Sequence, residues 1–150
     1  MKVVIQRVNH ASVLIENKIF AKINVGLLIF LGIDKYDVEE DCVWLANKVS
    51  QLRIFADHKG KMNHSIIDVH GGVLVVSQFT LHAKIKKGTR PSYINAAIPE
   101  KALPLYEKFK EHLSLLISKQ VYSGKFGSDM EVLSNNDGPV TIIIDTKNKQ

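Results

Sequence analysis

A chain of 150 residues with 45% hydrophobic and 23% charged residues has enough apolar material for one core and too little charge for global disorder. Twenty Lys and Arg against fifteen Asp and Glu leave a net charge of +5, which permits an anionic partner such as RNA or a membrane surface without requiring one. The single cysteine, Cys42, rules out an intrachain disulfide and fits a reducing, cytoplasmic compartment. Met1 to Arg7 meets polar residues too early for a signal-peptide core, and the longest apolar run, Val25 to Ile33, is too short to cross a bilayer.

In chain order, Val3-Val4-Ile5 and Ala11-Ser12-Val13-Leu14-Ile15 read as two strands with Asn9-His10 near the turn between them. Gly26 to Ile33 is continuously apolar, the pattern of a strand covered on both faces, and it breaks at Asp34-Lys35. Asp37 with Glu40 is a variant capping box and predicts a helix start. Val38, Cys42, Leu45, Val49 and Leu52 then recur at steps of four and three, one helical face, on which Cys42 is a small buried hydrophobe.

Gly71-Gly72 precedes a short β-branched strand, Val73 to Val76. A second helix follows Pro99, with Ala102, Tyr106, Phe109, Leu113 and Leu116 on its apolar stripe and Pro104 near its start. Gly124 and Gly127 mark a loop. Strands around Met130 to Leu133 and Val140 to Ile144 flank a turn over Asn135-Asn136-Asp137-Gly138-Pro139, and the polar tail from Thr146 frays. No repeat, low-complexity tract or long linker divides residues 1–150, so they read as one domain. Strands outnumber helices without alternating with them, which predicts an α+β fold.

Several chemistries lack their signature. His58, His64, His70 and His82 occur without a His-Glu-x-x-His helix or a Cys pair, so no metal site is expected. Gly-x-Ser-x-Gly and both glycine-rich phosphate motifs are absent. Three segments remain. Ser77-Gln78-Phe79-Thr80-Leu81 ends a strand, where it is either an ordinary edge or a place where free backbone N–H groups stabilise an oxyanion. Asn136 to Thr141 is either a plain tight turn or a rigid wall against a ligand, since an X-Pro bond can be cis and glycine tolerates unusual dihedrals. Lys84 to Arg90, with Lys84, Lys86, Lys87 and Arg90, is either a solvated loop or a phosphate clamp.

Together these segments resemble the D-aminoacyl-tRNA deacylase family, formerly called D-tyrosyl-tRNA deacylases. Ser77-Gln78-Phe79-Thr80 matches its first motif and Asn136-x-Gly138-Pro139-x-Thr141 its second; Lys87 to Ser92 and Met1 to Arg7 also match in kind and position, and the likeness covers essentially the whole chain. The resemblance implies a three-layer β/β/α domain with two main helices on the sheet, assembled as a homodimer whose active sites lie at the subunit interface. It implies hydrolysis of D-aminoacyl-tRNA without cofactor or metal, and of glycyl-tRNA mischarged on tRNA(Ala). Gln78, Phe79 and Thr80 would carry the chemistry and Ser77 would line the substrate site. A cis Gly138-Pro139 bond, braced by Arg7, would exclude L-amino acids in the partner's site. Lys84, Lys86, Lys87 and Arg90 would bind tRNA. Thr80 is a nucleophile candidate with no base near it in sequence, so the ribose 2′-OH of the tRNA is the preferred assistant. A catalytically silent RNA-binding module and a metal-free esterase for small molecules are the rival readings.

Overall fold

The computed structural model describes residues 1–86 and 88–149. Its frame follows from strand alternation. In β3 (Gly26–Gly32), Leu27, Ile29 and Leu31 enter one buried cluster, while Leu28 enters a second with Phe30 packed beside it. In β6 (Gly72–Ser77), Val73 and Val75 join the first cluster and Leu74 and Val76 the second. Successive strand side chains point to opposite faces, so a strand covered on both sides must be apolar throughout. The two strands pair in parallel from Gly26↔Gly72 to Leu31↔Ser77.

Helices cover the first cluster. α1 (Glu39–Gln51) contributes Cys42, Leu45, Ala46 and Val49, and α2 (Pro99–Ile117) contributes Ala102, Tyr106, Phe109, Leu113 and Ile117. Strands cover the second: Ala11 and Val13 from β1 (Lys2–Ile15), and Ile23 from β2 (Lys18–Ile23). β1 therefore serves both layers, with Val3 and Ile5 facing the helical cluster and Val8, Ala11 and Val13 the other. β8 (Glu131–Asp145) follows it antiparallel along both halves, with Val132 on one cluster and Val140, Ile142 and Ile144 on the other. A short hairpin, β4 (Phe55–Ala56) and β5 (Met62–His64), stands apart from the main sheet, and β7 (Tyr122–Ser123) extends that sheet beyond β6. The result is the expected α+β architecture with two main helices on the sheet. Among the described residues no helix is long and apolar enough to cross a membrane.

Several boundaries differ from the sequence reading. β1 is one strand through Asn9-His10, because β8 supplies a ladder there: His10 faces Asn135, and Asn9 Nδ2 donates to Asn135 Oδ1 at 2.9 Å. The chain reverses later, at Glu16 and Asn17, whose φ values of 50° and 61° are those of a two-residue hairpin turn. β8 likewise continues through Asn135 and Asn136, which pair with His10 and Val8, and only Asp137 to Val140 leave the ladder.

α1 begins at Glu39. Asp41 accepts the Val38 N–H at 3.1 Å, so the capping interaction sits one residue later than expected, and Val38 is exposed. Asp37 is buried instead, 2.7 Å from the Met1 ammonium, which also donates to Thr146 Oγ1 at 2.6 Å. The α2 stripe ends on Ile117, with Leu116 turned outward. Burial, reinforced by the carboxylates of Asp37, Asp41 and Glu39, pushes the Cys42 thiol up to about 12, which leaves it a packing residue.

The parallel β3–β6 pair positions the segment after Ser77, and its first rung is tight. A Cβ on Gly26 would stand 1.9 Å from the Gly72 carbonyl oxygen. Gly26→Ala is expected to lower stability by about 1–3 kcal/mol through overpacking, measured as a fall in the urea midpoint without a change in slope.

Candidate active site

β6 pairs with β3 up to Ser77, and the Gln78 N–H still donates to the Leu31 carbonyl at 2.8 Å. The chain then leaves the sheet as a single 3-10 turn, Phe79–His82. The N–H groups of Phe79 and Thr80 precede the first bond of that turn, and among the described residues neither has an acceptor. Two adjacent donors are thus left open where the strand ends, while the Gln78 N–H is occupied. The Gln78 side chain donates to Thr80 Oγ1, so a neutral amide, not a base, holds the hydroxyl. His82, two residues on, is buried with Nδ1 3.6 Å from Asp34 Oδ2.

Ser77, Gln78 and Phe79 form one lip of a cleft of about 340 Å³, otherwise lined mainly by Leu31, Ile33, Ala96, Ala97, Pro99, Tyr106 and Phe126. The cleft exists because residues 95–97 are clamped to the end of β3: Ala97 N–H donates to the Ile33 carbonyl, and Lys35 N–H to the Asn95 carbonyl, each at 2.9 Å. Tyr106 closes the floor, its hydroxyl donating to the Val75 carbonyl at 3.0 Å. Burial pushes its phenol above the ordinary range, so it stays a protonated donor. Phe79 meets Tyr93 edge-on, with ring centroids 5.0 Å apart.

The second motif is built differently. Gln6 pairs with Thr141 and Val8 with Asn136, so the four residues Asp137 to Val140 stand opposite Arg7 alone. They form an excursion from an otherwise continuous strand, with a cis Gly138-Pro139 peptide and Gly138 at φ 123°. Its base is pinned by the motif's own polar residues. Asn136 Oδ1 accepts the Val140 N–H at 3.2 Å, and Asn136 Nδ2 donates to Thr141 Oγ1 at 3.1 Å.

Arg7 braces the same base. Its Nε lies 3.0 Å from Asp137 Oδ2 and 3.3 Å from the Asp137 carbonyl, and Nη1 donates to the Ile54 carbonyl at 2.5 Å. A Cβ on Gly138 would meet Arg7 Nη2 at 3.0 Å and Val140 Cγ2 at 2.9 Å. The pinning roles of Asn136 and Thr141 were visible in sequence only as fixed letters of a motif, and Ile54, which acts through its carbonyl, carried no signal at all.

Within one chain none of residues 137–140 lines the cleft. Lys84 and Ser92 exchange backbone bonds of 2.8 and 2.9 Å, closing the neck of a loop on which Lys86 and Arg90 are exposed. Lys87 lies outside the described residues. Among the described residues no three His, Cys, Asp or Glu side chains gather as a metal would need.

Residues 4–145 match the family described as D-Tyr-tRNA(Tyr) deacylase. The chain belongs to that family. It is 55% identical over all 150 residues of both chains to a D-aminoacyl-tRNA deacylase of Bacteroides fragilis, and 57% identical over the same span to one of Flavobacterium psychrophilum. Among solved structures it is similar to one titled c-Myc DNA Unwinding Element Binding Protein, with TM-score 0.90, 36% identity, and 97% of this chain and 98% of that one covered. A probable eukaryotic D-amino acid tRNA deacylase shares the fold at TM-score 0.81 and 16% identity, over 95% of this chain and 97% of that one.

In this member of the family Arg7 holds both the excursion and the residue that leads into β4. Arg7→Ala leaves the Ile54 carbonyl without its charged donor and is expected to cost about 2 kcal/mol. Hydrogen exchange should quicken at the amides of 137–141, Pro139 excepted, more than at those of β3. Equal protection in both proteins would show that Arg7 is not what holds the excursion.

Proposed function

We propose that this chain hydrolyses the ester between a D-amino acid and the 3′ end of tRNA. The family match over residues 4–145 carries the reading, and the chemistry of the cleft is suited to it. An aminoacyl ester is already activated, so its hydrolysis needs positioning and oxyanion stabilisation more than a strong base. The acceptorless N–H groups of Phe79 and Thr80 are the donors for the developing oxyanion. A water oxygen bonds to the acyl carbon, the acyl–O3′ bond breaks, and the water's proton passes to the departing 3′ oxygen. The neighbouring ribose 2′-OH relays that proton, since the Thr80 hydroxyl is bonded to the Gln78 amide and not to a base. No metal takes part.

The excursion at Gly138-Pro139 acts in a partner subunit's cleft, in a homodimer with both sites at the interface. It is a wall that leaves no volume for an L side chain. Enantiomers carry the same groups, so only their placement can be selected against. Glycine has no side chain to exclude, and glycyl-tRNA mischarged on tRNA(Ala) is accepted. Ser77 lines the substrate site, and Lys84, Lys86, Lys87 and Arg90 contact tRNA phosphates. The compartment is the cytoplasm.

Purified protein treated with a chelator is expected to deacylate D-Tyr-tRNA and spare L-Tyr-tRNA. Activity that disappears and returns only with added metal refutes the metal-free mechanism; equal cleavage of both enantiomers refutes the wall. A catalytically silent RNA-binding module would leave both substrates intact.

Thr80→Ala removes the hydroxyl but keeps the N–H. Losing one neutral hydrogen bond costs about 1 kcal/mol, so the variant should keep activity within about tenfold of wild type. A tRNA ending in 2′-deoxyadenosine should be a poor substrate for both proteins. An inactive but folded Thr80→Ala protein, with the deoxy substrate cleaved normally by wild type, would assign the chemistry to the threonine.

A further inference from the structure

The hairpin of β4 and β5 is bound to the excursion through Arg7. One guanidinium reaches the Ile54 carbonyl, immediately before β4, and Asp137, immediately before Gly138. The base of the hairpin is closed by Arg53, whose Nε donates to the Asn63 carbonyl at 2.8 Å and whose Nη2 donates to Asn63 Oδ1. The tip is shaped by Asp57. Its Oδ1 accepts the Lys59 and Lys61 N–H groups at 2.8 and 3.0 Å, and its Oδ2 accepts Asn63 Nδ2 at 3.3 Å. These bonds hold the Asp57 carboxyl below its usual range and commit its charge to the loop's own backbone.

The side chains of Lys59 and Lys61 are exposed, and among the described residues neither ion-pairs with a carboxylate. Arg53 adds a third cation whose partners are neutral. The tip is therefore a preformed turn that points its anion inward and leaves its cations outward. The foot of the hairpin, at Ile54, is tied by Arg7 to the base of the excursion at Asp137.

We propose that this hairpin is a contact for the tRNA phosphate backbone, with Lys59 and Lys61 as its charged groups, separate from the loop at Lys84–Arg90. The proposal rests on the deacylase reading for the identity of the RNA. It gives tRNA a second point of attachment, on a hairpin whose foot shares Arg7 with the wall on β8. A rigid turn suits this work, because phosphate contacts set the orientation of a nucleic acid and carry no sequence information.

The test is a double variant, Lys59→Gln with Lys61→Gln, compared with wild type in two assays. Each lost phosphate contact releases one counterion fewer, so binding of uncharged tRNA across a salt series should show a log–log slope shallower by about 1 to 2, with about tenfold weaker binding at low salt. In deacylation, kcat/KM for full-length D-Tyr-tRNA should fall by a similar factor, while a minimal substrate, D-tyrosyl-adenosine, should be cleaved at the wild-type rate. An unchanged salt slope overturns the proposal, and so does an equal loss on the minimal substrate, which has no phosphates to lose. A shifted slope with wild-type protein inert towards D-Tyr-tRNA would keep the hairpin as an RNA contact and remove the deacylase reading.

Discussion

β1 is paired on both edges, and most of the structure depends on that. One edge carries β3 along the first half and β2 along the second; the other carries β8 from Lys2↔Asp145 to Leu14↔Glu131. A strand held on both sides cannot slip by one residue without turning its apolar side chains to the wrong face. Because β1 feeds both clusters, its register fixes the relation between the helical layer and the strand layer. The buried Met1–Asp37 pair acts at the start of this strand, tying it to the residues before α1, and Thr146 ties in the residue after β8. An ammonium without water is costly unless its donors are used, and here a carboxylate and a hydroxyl use two of them.

Against that ladder the excursion at Asp137–Val140 is an interruption with defined edges. Loops usually join elements and share their mobility. This one begins and ends within a single ladder, so both of its feet are held by the same partner strand. Asn136 and Thr141 bond to each other across the base, and Arg7 fills the space beneath. The absence of a Cβ at Gly138 lets the guanidinium sit that close. A surface feature built in this way keeps its shape because the sheet does.

The sequence displayed the parts whose signal is periodic. β3, β6 and both helices were readable because burial on one face or two leaves a repeat, and the two helical stripes were off only at Val38 and Leu116. It concealed the parts whose signal is pairing. Asn9-His10 and Asn135-Asn136 look like turns because their polar side chains favour turns locally. They are strand because each supplies the other's ladder, a non-local fact no window of sequence contains. β2 was missed because its outer face is largely exposed, which blurs the alternation. The capping site moved by one residue because Asp37 is used by Met1, again a partner far away in sequence.

The candidate site was legible to the extent that its motifs were recognisable, and for a physical reason no further. Its donors are backbone N–H groups, which every residue except proline possesses. What distinguishes Phe79 and Thr80 is position: the strand has ended and the 3-10 turn has not yet begun to use N–H groups. No residue type encodes that. Such a site also has little to titrate, since its lining is mainly apolar, Ser77 and Gln78 carry no ionisable group, and Tyr106 is held protonated by burial. Chemistry that depends on geometry more than on acid and base tolerates no looseness in its frame. The clamps at Ile33–Ala97 and Lys35–Asn95, and the last β3 bond to Gln78, are therefore as much a part of the cleft as the residues that line it.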